Sequence, residues 1–396
     1  MRKKYIIVAL FIIFISRFAF AQEAAMQAQI DDLKMQLGEM SSYYEGKIDS
    51  LEARLVLLED GYPKEHLGHE HEEEAHEDPS HHHVHGILGD KIQVIGAVDG
   101  RFVNAEGNKN MFFMHEAKIG AQAQIADWLF GYLTLTKHHD EDVHIEEAYA
   151  ILSFDELNLS VKPGKFFVNF GPENLAHFFD RRTITLSAMH DGMFGAEPWA
   201  DSGLQANWKI PVNFYSNISF AVINGDNASS FGDGVNEVSN NNLPVTTHWT
   251  NAFTGDWGHL RTGNSFAWGQ WDSDDKYNTA LVGVDAYYKL GNFDAQAEFI
   301  YRWKELPGVQ EPNAYGYYTW GAYTIPMDYK YLKGIEFLAG FGQYLPDTTD
   351  RETRVTPQIS LLFNEFTKFR ATYEVRDQYP KDNKDNRFIA QFALAF

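Results

Sequence analysis

The chain has 396 residues, 15% of them aromatic, no cysteine and a formal net charge of −22 at pH 7. This negative charge excludes nucleic acids as partners, because their phosphates would be repelled. The absence of cysteine excludes disulfides and thiolate metal sites.

Residues 1–21 have the order of parts that is typical of a secretory signal peptide. A basic head of Arg2, Lys3 and Lys4 precedes an apolar stretch too short to span a bilayer, and Ala21 ends a small-x-small cleavage site. We therefore expect the mature chain to leave a bacterial cytoplasm. The rest of the sequence has no run of about 18 apolar residues, so it predicts no transmembrane helix.

Residues 22–60 have the apolar spacing of a coiled coil. Apolar residues recur at steps of three and four, which predicts a helix that associates with copies of itself. The seam consists of Met26, Ile30, Leu33, Leu37, Met40, Tyr44, Ile48, Leu51, Leu55 and Leu58. A single amphipathic helix lying on another surface is the alternative, but the rest of the chain predicts no helical partner for it.

Residues 61–90 form a segment rich in histidine and glutamate, with too few apolar residues to build a core. It contains eight of the 16 histidines of the chain: His66, His69, His71, His76, His81, His82, His83 and His85. Neutral imidazoles beside carboxylates are good ligands for zinc, nickel or copper. A charged, extended spacer is the alternative, but a spacer needs no histidine. We therefore expect reversible binding of zinc or another divalent transition metal, with no cofactor required.

From residue 91 to residue 396 the apolar residues follow a period of two. In the stretch 368–376, for example, Phe369, Tyr373 and Val375 alternate with charged residues. Such alternation indicates strands that lie between an apolar medium and water. A soluble β-sandwich is the alternative, but a dry core does not tolerate unpaired charges along whole strands.

Short turns alternate with long loops along this region, as they do in an up-and-down barrel. The alternation is complete only if residues 244–253 form a strand, which brings the total to sixteen and places both ends in the periplasm. The sequence thus predicts an all-β transmembrane barrel of about 16 antiparallel strands, preceded by a periplasmic α-helical coiled coil.

Three stretches of the barrel resemble Gram-negative outer-membrane porins, in particular relatives of the phosphate-selective porins and zinc-regulated outer-membrane proteins. They are IEEAYAIL (145–152), PGKFFVNFGPENLAHFFD (163–180) and DSGLQANW (201–208). The family has a similar Glu-Glu-Ala-Tyr strand, a Gly-Arg-Phe strand end and an Asn-x-x-His loop. Lys165 stands where arginine is usual and Phe179 where a second histidine follows, which speaks against carrying over a loop metal site. The resemblance implies a homotrimer in outer-membrane lipid that passes small solutes or ions by passive diffusion.

The resemblance and the strand count both predict that residues 167–200 form the third extracellular loop and fold into the lumen. Acidic and basic side chains opposed across a water-filled constriction create a transverse field that filters solutes by charge. The candidates are Glu173, His177, Asp180, Arg181, Arg182, Asp191 and Glu197. In the alternative interpretation, the two arginines pair with Asp180 or Asp191 only to hold the loop in place.

Four basic residues of the last strands are predicted to face the lumen: Arg354, Lys368, Arg370 and Arg376. They would attract anions, although Glu374 matches them in part and acidic residues oppose them elsewhere on the inner face. The sign of the charge selectivity therefore stays open.

The stretch KHHDEDVH (137–144) is predicted to lie in the second extracellular loop. Its histidines and carboxylates are able to hold a divalent cation, but surface loops are commonly this polar without binding anything. We therefore favour the interpretation as a polar loop.

These features predict a porin rather than an enzyme. His177, Asp180 and Ser187 are close in sequence, but no nucleophile-elbow motif supports a barrel hydrolase. A structural outer-membrane tether with a metal-buffering tract is the main alternative, and such a protein would conduct poorly or not at all.

Overall fold

A computed structural model describes residues 92–105, 110–139, 141–225, 243–270, 277–305, 313–346, 350–379 and 385–396. The predicted signal peptide, coiled coil and histidine-rich tract lie outside the described residues and stay predictions.

The described residues form a closed barrel of sixteen antiparallel strands. The strands are β1 (Ile92–Ala105), β2 (Met111–Ala126), β3 (Leu129–His138), β4 (His144–Phe154), β5 (Leu159–Phe167), β6 (Ala200–Lys209), β7 (Tyr215–Ile223), β8 (Val245–Gly255), β9 (Gly258–Gln270), β10 (Asn278–Leu290), β11 (Phe293–Lys304), β12 (Ala314–Pro326), β13 (Gly334–Leu345), β14 (Arg351–Asn364), β15 (Thr367–Tyr379) and β16 (Arg387–Ala395). Each strand pairs with its neighbours in the chain, and β1 pairs with β16 to close the sheet. The predicted strand count is confirmed, and the strand inferred at 244–253 is β8.

The period of two in the sequence separates an outer apolar face from an inner polar one. On β15, Arg370 and Glu374 point inward and are 1% and 0% exposed, whereas Tyr373 and Val375 point outward. Successive side chains of a strand lie on opposite faces of the sheet, so the same alternation repeated around the barrel produces a charged interior and an apolar exterior.

Outward-facing aromatic rings surround the end of the barrel that carries the short turns. They include Trp128, Phe154, Trp208, Phe214, Trp257, Phe293, Tyr323 and Phe366, all exposed. Girdles of this kind are typical of the boundary between lipid and water. The outer surface is therefore suited to a bilayer.

The connection between β5 and β6, residues 168–199, contains two short helices, α1 (Gly171–Asn174) and α2 (Ala188–Phe194). A 3₁₀ turn at Asp155–Leu157 joins β4 to β5. Within the described ranges, no helix has the length and apolar composition needed to cross a membrane. We call residues 168–199 the constriction loop.

Candidate functional site

One buried asparagine holds the two stems of the constriction loop together. Asn174 donates from Nδ2 to the carbonyls of Val168 (2.7 Å) and Trp199 (3.1 Å). Its Oδ1 accepts the Trp199 N–H at 2.5 Å. Asn174 begins the Asn-x-x-His motif of the sequence, and its bonds place the entry and exit of the loop side by side.

An apolar cluster fixes one side of the loop to the inner wall of the barrel. The loop contributes Phe170, Met189, Met193, Phe194 and Trp199. The strands contribute Leu281, Ile300, Tyr318, Trp320 and Leu338. Complete burial of a large apolar side chain stabilises by roughly 1.5–3 kcal/mol, so this side of the interior is a packed core.

A glycine allows the loop to approach the wall closely at the start of α1. Gly171 has φ 68°, a conformation that other residues adopt at a cost. A Cβ atom at this position would lie 1.8 Å from the Glu298 Oε1 atom. The absence of a side chain therefore lets the loop cover the Glu298 carboxyl group, which is 4% exposed.

Cationic side chains of the barrel bind the main-chain carbonyls of loop residues 178–186. Arg370 donates to the carbonyls of Phe178 (3.0 Å) and Arg181 (2.5 Å). Three further pairs have the same form: Lys368 with Phe179, Arg354 with Leu186 (2.9 Å) and Arg101 with Ile184 (3.3 Å). Hydrogen bonds from charged donors are stronger than hydrogen bonds between neutral groups. We call these four cations the basic wall.

Arg182 extends from the same loop segment to the acidic side of the interior. Its guanidinium lies 2.5 Å from the Asp294 Oδ2 atom on β11 and 2.5 Å from the Glu336 Oε2 atom on β13. Asp285 and Glu298 also point inward on β10 and β11, and we call these four carboxylates the acidic wall. The constriction loop therefore bridges two oppositely charged walls.

The pairing of the arginines differs from the one considered from the sequence. Arg182 pairs with the acidic wall, and Asp191 pairs instead with Arg354 at 2.5 Å. The interpretation in which Arg181 and Arg182 pair with Asp180 or Asp191 is wrong for Arg182, because wall carboxylates far away in sequence are nearer.

His177 ties the loop to β2 and β4. The Lys118 ammonium donates to its Nδ1 atom at 2.8 Å, and its Nε2 atom lies 3.4 Å from the Glu147 Oε2 atom. Lys118 also pairs with Glu146 at 2.5 Å. Burial, and then the positive charge of Lys118, lower the pKa of His177 to about 4. The imidazole is therefore neutral at pH 7 and accepts the bond from Lys118.

The remaining predicted constriction residues have different surroundings. Glu173 is buried inside the loop, where its carboxylate accepts the Ser187 N–H (2.8 Å) and hydroxyl (2.6 Å). Burial raises the pKa of Glu173 to about 7. Arg181 is buried as well, whereas Asp180 and Glu197 are exposed. Glu173 therefore shapes the loop instead of lining the opening.

All four basic residues predicted on the last strands do point inward, but they are not a water-facing wall. Arg354 and Arg370 are 4% and 1% exposed, because the constriction loop covers them. Arg376 pairs with Glu374 on the same strand. The anion-attracting surface considered from the sequence is therefore not open to water at Arg354 and Arg370, because these two side chains bind the loop.

The three residues of the hydrolase alternative do not form a catalytic arrangement. The Ser187 hydroxyl donates to Glu173, and the His177 ring contacts Lys118 and Glu147. The serine and the histidine are therefore engaged with different partners.

The residues missed by the sequence reasoning include Lys118 and Glu147, which contact His177, and Asp294, which contacts Arg182. Two of them could have been found from the alternation of the two faces along a strand, since residues an even number of positions apart share a face. Lys118 lies two residues from the inward-facing Glu116, and Asp294 lies four residues from the inward-facing Glu298. Glu147 follows a register shift between β3 and β4, which parity alone does not reveal.

No family model matches the chain. An uncharacterised protein of Aquifex aeolicus is 27% identical over 251 residues, covering 63% of this chain and 48% of that protein. The chain thus spans about half the length of this relative.

Solved structures show the fold. An anion-selective porin from Comamonas acidovorans superposes with a TM-score of 0.56 at 10% identity, covering 77% of this chain and 99% of the porin. OprB of Pseudomonas putida gives 0.54 at 10% identity, covering 78% and 95% of the two chains. The outer membrane channel DcaP of Acinetobacter baumannii gives 0.53 at 12% identity, covering 77% and 97%. The barrel of this chain therefore has the fold of outer-membrane porins.

Proposed function

We propose that this protein is an outer-membrane porin that lets small polar or charged solutes pass by diffusion. The observation that carries the proposal is the constriction loop, which lies inside a closed barrel and contacts two oppositely charged walls. Barrels of 16 to 18 strands enclose an aqueous channel. A loop that narrows such a channel between acidic and basic groups imposes a transverse field on passing solutes.

The outward apolar face and its aromatic girdle support an outer-membrane location. We further propose that the coiled coil predicted at residues 22–60 lies in the periplasm. We propose a homotrimer, clamped by residues 22–60. The structures similar to this chain include a trimer form of OmpT of Vibrio cholerae, with a TM-score of 0.52 at 10% identity, covering 77% of this chain and 99% of that chain.

We also propose that the histidine-rich tract, residues 61–90, binds metal. Its eight histidines stand close to carboxylates, without a spacing that imposes one geometry, which favours reversible binding of zinc or a similar divalent metal. Replacing these eight histidines with serine is expected to remove the share of zinc uptake that the tract contributes in calorimetry and to leave the barrel folded. Unchanged zinc uptake by the variant would contradict it.

A non-conducting tether is the second candidate, and the apolar cluster inside the barrel favours it. Side chains such as Phe170, Met189 and Trp199 are 0% exposed, so the loop fills part of the interior. The two functions differ in one measurable property, which is ion conduction.

Single-channel recording of the purified full-length protein in a planar bilayer tests the proposal. A porin is expected to give stepwise currents, in groups of three for a trimer, and a defined reversal potential in a salt gradient. Absence of current from protein that is folded by gel mobility would overturn the porin and support the tether. Zinc added on the side of the bilayer that carries the histidine-rich tract tests whether the metal changes the current.

A further inference from the structure

Three potential metal ligands converge where β3 ends and β4 begins. His138, Glu141 and His144 each offer one ligand atom, and these atoms all lie within 4.8 Å of one another. The two imidazoles stack with centroids 5.5 Å apart and planes 20° apart. The spacing of three residues on each side of Glu141 produces this arrangement, because the antiparallel hairpin returns His144 beside the end of β3.

One of these histidines is buried in an unusual state. His138 is 6% exposed, and its Nδ1 atom has no hydrogen-bond partner among the described residues. Its other ring nitrogen, Nε2, lies 3.4 Å from the Glu197 Oε2 atom of the constriction loop. Buried polar atoms almost always have a partner, so the free nitrogen is a position where a bound cation would supply the missing interaction.

The surrounding charges favour a cation. Glu116 is the strand partner of His138, and the Lys118 ammonium offsets the charge of Glu116 and Glu146, so the excess negative charge at the three ligands begins with Glu141. Glu197 adds a further carboxylate from a different part of the chain. A polar surface loop accounts for the exposed Glu141 but not for a histidine that is buried with an unpaired nitrogen.

We propose that His138, Glu141 and His144 bind a divalent transition-metal ion at the mouth of the barrel, with Glu197 as the carboxylate that orients His138 or completes the ligand set. Two imidazoles and a carboxylate form a ligand set that zinc, copper and nickel prefer. A carboxylate on the second nitrogen of a metal-binding histidine is the usual supporting contact. Zinc ligands at about 2.0–2.2 Å from the ion lie about 3.3–3.6 Å apart in a tetrahedral site. The Glu141 Oε2 atom already lies 3.9 Å from the His144 Nδ1 atom, so a small shift of the exposed Glu141 side chain suffices on binding.

The site has a structural consequence for the constriction loop. Glu197 lies three residues before the start of β6, whereas the three ligands belong to the preceding long connection. An ion bound there would link the two segments at the opening of the lumen. This consequence rests on the proposed porin function, but the binding itself does not.

Zinc titration by calorimetry at pH 7.5 tests the site in full-length protein whose eight tract histidines are replaced by serine. We expect one zinc ion per chain with micromolar affinity, and at least a tenfold loss of affinity in His138→Ala and in His144→Ala. Glu197→Gln is expected to lose affinity to a smaller extent. His259→Ala, which removes an imidazole at the opposite rim where it contacts Thr254, serves as the matched control and should bind as the parent does.

The folded state of every variant is checked by its gel mobility before and after heating. No zinc uptake by the folded parent, or equal affinity in the parent and His138→Ala, would overturn the site. Bilayer recording of the same parent separates the two proposals. Zinc binding without any current would keep the site and overturn the porin, whereas current without zinc binding would do the reverse.

Discussion

Replacing Arg370 with methionine should release the constriction loop from the basic wall. The guanidinium donates to the carbonyls of Phe178 and Arg181, and methionine fills a similar volume without a donor. A hydrogen bond to a charged group contributes about 1.5–3 kcal/mol, so two of them amount to about 3–6 kcal/mol. Removing a buried charge offsets part of this loss, which leaves about 2–4 kcal/mol against docking. At 1.4 kcal/mol for each factor of ten, the undocked loop becomes roughly 30- to 700-fold more populated.

Two assays detect the undocked loop. Single-channel recordings should show frequent excursions to a larger conductance, and trypsin should cleave after Arg181 or Arg182, which the docked loop protects. Arg376→Met is the matched control, because Arg376 lies on the same face of β15 but pairs with Glu374. If Arg370→Met stayed as quiet and as protease-resistant as Arg376→Met, the carbonyl contacts would not be what holds the loop.

Other contacts of the loop, and the predicted coiled coil, lead to three more expected outcomes. Arg182→Ala should shift the reversal potential toward cation preference, because it leaves Asp294 and Glu336 unpaired; an equal shift in Arg351→Ala, which removes an exposed pair with Asp377, would show that the effect is not local. Acidification from pH 6.5 toward pH 4 should loosen the loop. The pKa of His177 is lowered from 6.5 to about 4 when the loop is docked, so protonation of the imidazole favours the undocked loop. His177→Gln removes that part of the pH dependence, and an unchanged conductance profile would count against the contact with Lys118. Deleting residues 24–59 should yield monomeric barrels on native gels, and surviving trimers would mean that the barrels themselves form the main contact.

Much of the barrel was predictable because strand alternation is a local property. The polar face of 368–376 was identified from neighbouring residues alone, and β15 has that inner face. The strand count came from the order of short turns and long loops. The loop at 167–200 was also located correctly as an insertion between two strands, because no period of two continues through it.

The roles of the charged residues were harder to predict because they depend on distant partners. Arg182 meets Asp294 and Glu336 across sequence separations of 112 and 154 residues, so no local pattern contains that pairing. The same holds for Arg354 and Arg370, which the sequence places on the inner face without showing that the loop covers them.

The amino-acid sequence by itself therefore determined the strands, their two faces and the position of the inserted loop, because side chains alternate between the two faces along a regular strand. The tertiary structure decided which inward charges contact the loop, which carboxylates receive Arg182, and where His138 meets Glu197. These contacts arise only when the barrel closes and the loop folds inside it, because closure brings residues that are far apart in the chain within a few ångströms of each other.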